Sequence, residues 1–128
     1  MVIDVAADSR LNGANIQIYS SNKSDAQKWQ IVNNNDSTCT IKNVASGKVL
    51  DVTAAGIRDG TNVQTFVSNA SCAQKWKVKK NDDETYSFFS ACSNKALDVA
   101  AGRSENGTNI QIYGFNGSAA QRWQLLNY

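Results

Sequence analysis

Hydrophobic and polar positions alternate with a period of two through much of this chain. Lys75-Trp76-Lys77-Val78-Lys79 sets Trp76 and Val78 on one face and lysines on the other, and Trp29/Ile31 and Trp123/Leu125 repeat that face. Asn15-Ile16-Gln17-Ile18-Tyr19, Asn62-Val63-Gln64-Thr65-Phe66 and Asn109-Ile110-Gln111-Ile112-Tyr113 mix β-branched and aromatic residues in the same alternation. A period of two is that of a half-buried strand, whose successive side chains point to opposite faces. The intervening segments are turn chemistry: Asn12-Gly13, Asp59-Gly60, Asn106-Gly107, Asn33-Asn34-Asn35-Asp36, Asn81-Asp82-Asp83 and Asn116-Gly117. No window carries a sustained 3.6-residue apolar stripe. The pattern predicts an all-β chain of about four short strands per unit.

The units are exact in length. Ala26-Gln27-Lys28-Trp29 returns as Ala73-Gln74-Lys75-Trp76 and as Ala120-Gln121-Arg122-Trp123, at a step of 47 residues. Ile3-Asp4-Val5, Leu50-Asp51-Val52 and Leu97-Asp98-Val99 keep that step, as do Gly13, Gly60 and Gly107 and Asn15, Asn62 and Asn109. The repeats run approximately over 1–34, 35–81 and 82–128 and form one domain, 1–128. One such unit cannot bury its apolar face alone, so an internal repeat decides the architecture. A solenoid would want distinct polar end caps. Three similar units meet symmetrically around an axis instead, with Trp29, Trp76 and Trp123 in the core.

Three Gln-x-Trp triplets, each preceded by a Leu-Asp-Val-like strand and a Gly-x-Asn-x-Gln strand, resemble the ricin-B-type β-trefoil lectins. These include carbohydrate-binding modules attached to secreted bacterial glycosidases. The resemblance covers essentially the whole chain. It implies a β-trefoil of three four-stranded lobes, with two strands per lobe in a barrel and two in a hairpin cap.

Three units of 47 residues exceed the 128-residue chain by 13. The missing piece corresponds to Asn35–Gly47 and Asp82–Asn94, which carry the first strand of a repeat. The first repeat is therefore expected to lack its first strand. Two origins are open: a module cut from a longer protein, or a naturally short domain. Either way, strands around Lys28–Ile31 and Arg122–Leu126 are expected to lack a partner, leaving an edge for self-association.

Charge excludes some partners. Thirteen basic and eleven acidic residues leave a net charge of +2, too weak for an electrostatic hold on nucleic acid. Lys77, Lys79 and Lys80 read as a solvated strand face. No apolar run is long enough to span a bilayer. Cys39, Cys72 and Cys92 do not follow the repeat. Their spacing and the absence of His argue against a metal site, and none is assigned; nor is any cofactor. Buried free thiols are the first reading, with Cys72–Cys92 the pair to check. Without His there is no Ser-His-Asp or Cys-His arrangement. The recurring carboxylates occur once per repeat, whereas a glycosidase needs two facing one bond. The expectation is that the chain is not an enzyme.

A sugar offers vicinal hydroxyls and a mildly apolar C–H face. Its receptor wants a carboxylate, an amide and an aromatic ring. Each repeat supplies them at constant spacing: Asp4, Gln17 and Tyr19; Asp51, Gln64 and Phe66; Asp98, Gln111 and Tyr113. The resemblance places the Asp and the aromatic in the sugar pocket. Asn22, Asn69 and Asn116 are candidate loop donors or simply turn residues. Gln27, Gln74 and Gln121 are candidate contacts, with backbone bonding in the lobe the stronger reading. The family's frequent Asn before Gln-x-Trp is Ala26, Ala73 and Ala120 here, removing one hydrogen bond per lobe. Phe66 makes the second site the poorest. The expected function is non-catalytic carbohydrate binding that targets an attached secreted enzyme to galactose- or pentose-containing glycans, at a secreted or cell-surface location. A β-trefoil used only for protein contact is the other function class.

Overall fold

A computed structural model describes residues 1–127; Tyr128, the last residue of the third repeat, lies outside them. Among the described residues ten strands follow in chain order: β1 (Val2–Val5), β2 (Ala14–Tyr19), β3 (Trp29–Asn33), β4 (Cys39–Asn43), β5 (Val49–Val52), β6 (Val63–Phe66), β7 (Trp76–Lys80), β8 (Tyr86–Ser90), β9 (Ala96–Val99) and β10 (Ile110–Tyr113). Short 3₁₀ turns, too brief to leave a periodic signal, complete each lobe. One follows each Leu-Asp-Val-like strand (Ala6–Asp8, Thr53–Ala55, Ala100–Gly102), and one precedes each Trp strand (Asp25–Gln27, Cys72–Gln74, Ala119–Gln121).

Two tiers build the β-trefoil. In the first, hairpins β1–β2, β5–β6 and β9–β10 surround a pseudo-threefold axis. They join through one pairing used three times: Asn15 with Gln64, Asn62 with Gln111, and Asn109 with Gln17. At the axis the three asparagines close a ring. Asn15 Nδ2 donates to Asn109 Oδ1 at 2.9 Å, Asn109 Nδ2 to Asn62 Oδ1 at 2.8 Å, and Asn62 Nδ2 to Asn15 Oδ1 at 2.9 Å. Alternation along these strands turns Ile16, Val63, Ile110 and Ile112 fully inward, where they meet Leu50 and Leu97. The turn residues bolt each lobe to the next. Asn12 Oδ1 accepts from the Val67 amide (3.0 Å), Asp59 Oδ1 from that of Gly114 (2.9 Å), and Asn106 Oδ1 from that of Ser20 (2.8 Å). The Gly114 amide, then the Lys95 ammonium at 3.1 Å, hold the Asp59 carboxyl below its usual range.

The second tier contains hairpins β3–β4 and β7–β8. Cys39 of β4 pairs with Trp76, and Tyr86 pairs with Trp123. No equivalent pair is formed at Trp29 among the described residues, so the tier is open there between Trp29 and Trp123. Three expectations change here. The last strand of the third repeat is reduced to the Tyr86–Trp123 bridge, with no hairpin partner among the described residues. Trp76 is fully buried, but Trp29 and Trp123, which flank the gap, are only half-buried. Ile31, Val78 and Leu125 share the Trp face in sequence yet are 38%, 45% and 46% exposed on this open tier. The tryptophans still tie the tiers together: each indole N–H donates to a first-tier carbonyl, Trp29 to Ile3 (3.0 Å), Trp76 to Leu50 (3.3 Å) and Trp123 to Leu97 (3.2 Å).

Cys72 and Cys92 form a disulfide with Cα atoms 5.2 Å apart, overturning the free-thiol reading for those two. It staples the turn before Trp76 to the turn after β8, joining the second and third repeats. Folding brings together two positions that have no symmetric counterparts. Cys39 remains a buried free thiol, its pKa pushed up to about 11 by desolvation.

Thr65 is 0% exposed, and its hydroxyl has no hydrogen-bond partner among the described residues; Ile18 and Ile112 fill the equivalent places. An orphaned buried hydroxyl costs about 1–3 kcal/mol, so Thr65→Val should raise stability by about 1 kcal/mol in thermal melts. No increase would mean that the hydroxyl is satisfied by a bound water. Placing a copy of Asn35–Gly47 ahead of Met1 supplies the absent strand, and the extended protein should melt several degrees higher. An unchanged melt would show that the gap is closed another way.

Candidate functional site

Each candidate site grows from one first-tier hairpin. Antiparallel register sets Asp4 opposite Gln17, Asp51 opposite Gln64 and Asp98 opposite Gln111. Directly opposed side chains meet across a strand pair. The Gln amide donates to the carboxylate in every lobe: Gln17 to Asp4 at 2.8 Å, Gln64 to Asp51 at 3.2 Å and Gln111 to Asp98 at 2.9 Å. The three carboxylates are buried, flanked in sequence by core residues such as Leu50 and Val52.

After each Asp strand the chain turns sharply through two consecutive left-handed residues. These are Ala7 and Asp8 (φ 56° and 51°), Ala54 and Ala55 (both 53°), and Ala101 and Gly102 (55° and 62°). Left-handed geometry costs roughly 1–2 kcal/mol for a residue with a Cβ, so Gly102 relieves strain that Asp8 and Ala55 retain. The sequence reading missed this turn; a lone Gly at the equivalent repeat position was its one trace.

Opposite that turn lies the loop before Gln-x-Trp. The glutamine amide is used inside the loop. Gln27 Oε1 accepts from the Asn22 amide (2.8 Å) while its Nε2 donates to the Ser20 carbonyl (3.0 Å). Gln74 holds Asn69 and Val67 in the same way (2.8 and 2.9 Å), and Gln121 holds Asn116 and Gly114 (2.8 and 3.0 Å). Asn22, Asn69 and Asn116 each accept on Oδ1 from the amide two residues ahead, Ser24, Ser71 and Ser118. The amide group of each asparagine, exposed at the loop surface, is left to donate elsewhere. Tyr19 and Tyr113 end their strands 40% and 42% exposed, and Phe66 is half-buried.

In the third lobe the parts converge on one cavity. A cavity of about 360 Å³ is lined by Asp98, Gln111, Tyr113, Asn116 and Ser118, together with Ala101 and Gly102. Gln111 occupies Oδ2 of Asp98, and Oδ1 has no donor among the described residues. Asp4 is in the same state beside Gln17. Asp51 differs. Gln64 takes Oδ1, and Gln74 takes Oδ2 at 2.8 Å, a bond that the equivalent Gln27 and Gln121 do not make. The second carboxylate is thus committed internally on both oxygens. Chemically, a fixed carboxylate beside an amide accepts from hydroxyls, and an exposed ring lining the same cavity stacks on an apolar face. Among the described residues no group of His, Cys, Asp and Glu is placed to hold a metal ion.

The profile of the ricin-type β-trefoil lectin domain-like family matches residues 1–66, 38–113 and 72–128, overlapping spans that together cover the chain. Among solved structures, a designed threefold-symmetric protein, ThreeFoil, is 32% identical with a TM-score of 0.97, over 98% of this chain and 90% of that one. An exo-β-1,3-galactanase from Clostridium thermocellum is 32% identical with a TM-score of 0.94, over 97% of this chain but only 27% of its own length. A ricin B-like lectin of Macrolepiota procera, solved in complex with lactose, shares the fold at 20% identity and a TM-score of 0.80, over 95% of this chain and 84% of that one. A search of the curated proteins finds no match. The repeat, the trefoil pairing and the profile agree, and the chain belongs to the ricin-type β-trefoil lectin domain-like family.

Proposed function

We propose that this chain is a non-catalytic carbohydrate-binding domain for galactose-containing glycans, working as the targeting module of a larger secreted enzyme. The observation that carries this reading is the Asp–Gln pair set beside an exposed tyrosine in the first and third lobes, each carboxylate with one oxygen uncommitted. Asp4 and Asp98 accept from two sugar hydroxyls. Gln17 and Gln111 orient them, Tyr19 and Tyr113 stack on the C–H face, and Asn22 and Asn116 donate from the loop. Asp51, Gln64, Phe66 and Asn69 form a weaker copy. Gln27, Gln74 and Gln121 shape the loop rather than touch sugar. Weak sites on one rigid body gain avidity on a polymer without new contacts.

The galactanase of which this chain spans 27% supports both the galactose preference and the attached enzyme. The Cys72–Cys92 disulfide supports an oxidising, extracellular location. Among the described residues no helix is long and apolar enough to cross a membrane. The open tier, with Ile31, Val78 and Leu125 exposed, is the proposed place where copies of the chain associate.

Affinity electrophoresis through β-1,3-galactan, xylan and arabinan tests the reading. Galactan should retard the protein; migration unchanged in all three gels, with no glycan-array signal, would sink it. Asp98→Asn keeps the side chain's shape but not its charge, and should weaken galactan binding by about 1–3 kcal/mol. Asp51→Asn should cost less than about 1 kcal/mol, and equal losses would contradict the ranking of lobes. Light scattering should show self-association that the strand-extended protein lacks; two monomers would remove the open tier as an interface.

A further inference from the structure

The third lobe carries a second cavity that the sugar site does not use. It measures about 450 Å³ and is lined by Ala101, Arg103, Glu105, Asn106, Thr108 and Asn109. Ala101 lines this cavity and the Asp98 cavity alike, so one backbone turn separates them. Resting on the carbohydrate reading above, we infer that the third lobe binds two adjoining units of a neutral glycan, the second gripped by Arg103 and Glu105.

The two side chains are suited to it. Among the described residues neither makes a hydrogen bond or an ion pair, although both line the same cavity. A guanidinium donates and a carboxylate accepts, which together match adjacent hydroxyls on one ring. The opposite charges of Arg103 and Glu105 leave the cavity no net preference for an acidic or a basic sugar, so the pair suits an uncharged unit. The other lobes lack this combination. Ser9 and Gly56 stand where Arg103 does, and Leu11 and Arg58 where Glu105 does. The first lobe's nearby arginine, Arg10, faces Asp8 at 3.9 Å.

The loop is also held in place before any ligand arrives, which lowers the entropy lost on binding. Thr108 Oγ1 donates to the Glu105 carbonyl at 2.7 Å. The Arg103 amide donates to the Ala100 carbonyl at 3.3 Å, and the Gly107 amide to that of Ile18 at 2.8 Å. Asn106 Oδ1 accepts from both the amide and the hydroxyl of Ser20, at 2.8 and 3.0 Å.

Residue-resolved amide NMR titrations with galactose and with β-1,3-galactobiose test the inference at this lobe alone. Galactose should shift Gly102, Tyr113 and Asn116. Galactobiose should also shift Arg103, Asn106 and Gly107 and bind there about tenfold more tightly, the gain expected from a charge-assisted hydrogen bond. Arg103→Ala and Glu105→Gln, at exposed positions, should each remove most of that gain, leaving galactose affinity and the melting temperature unchanged. Identical shifts and affinity for the two sugars, or variants that leave their ratio intact, overturn the two-unit site while the single-sugar reading stands. Absence of any shift at Gly102, Tyr113 and Asn116 with either sugar overturns both.

Discussion

Three short hairpins without cores of their own must meet around one axis, and the rest of the molecule depends on that meeting. A two-stranded hairpin is marginal in water by itself. Ile16, Val63 and Ile110, one from each lobe, are completely buried in the fold where the three hairpins come together. Burying such a side chain contributes roughly 1.5–3 kcal/mol. The closed Asn15–Asn62–Asn109 ring satisfies the polar groups that the close approach brings together. Each asparagine donates once and accepts once around the cycle, so no lobe is first or last. The Asn12, Asp59 and Asn106 contacts add a second cyclic set at the turns.

The candidate site is made from those same hairpins. Asp98 sits between Leu97 and Val99, two core residues, and its cross-strand partner Gln111 sits between Ile110 and Ile112. The core therefore fixes where the carboxylate and the amide meet. The left-handed turn after the Asp and the Gln-clamped loop before Trp then wall the pocket on two sides. Strain at Ala54–Ala55 and Ala101 is tolerated because the strands on either side over-determine the path of the chain.

Threefold architecture does not make three equal lobes. The second lobe spends Asp51 on two internal hydrogen bonds and carries the disulfide at its Gln-x-Trp turn. The third has Gly102 in its turn and charged residues on its outer loop. In the second tier, two hairpins and a single bridge stand among the described residues in place of three hairpins. The effect stays local: Trp76, away from the gap, is fully buried, whereas Trp29 and Trp123 are not.

The amino-acid sequence by itself determined the repeat, the all-β class, the trefoil resemblance and the candidate sets Asp4/Gln17/Tyr19, Asp51/Gln64/Phe66 and Asp98/Gln111/Tyr113. These follow from periodicity, which is a property of order along the chain. It also showed that the first repeat of this sequence is 13 residues short of the others, because a constant step of 47 residues makes the shortfall countable. Other features required the folded chain. Cys72 and Cys92 have no symmetric counterparts, so no repeat could announce their bond. Burial of Ile31, Val78 and Leu125 depends on what stands across the tier, not on the alternation within their strands. The extra bond from Gln74 to Asp51 separates lobes whose local sequences read alike. Only the tertiary structure decided these, because each depends on the distance between residues from different strands or lobes, and alternation carries no information about that distance.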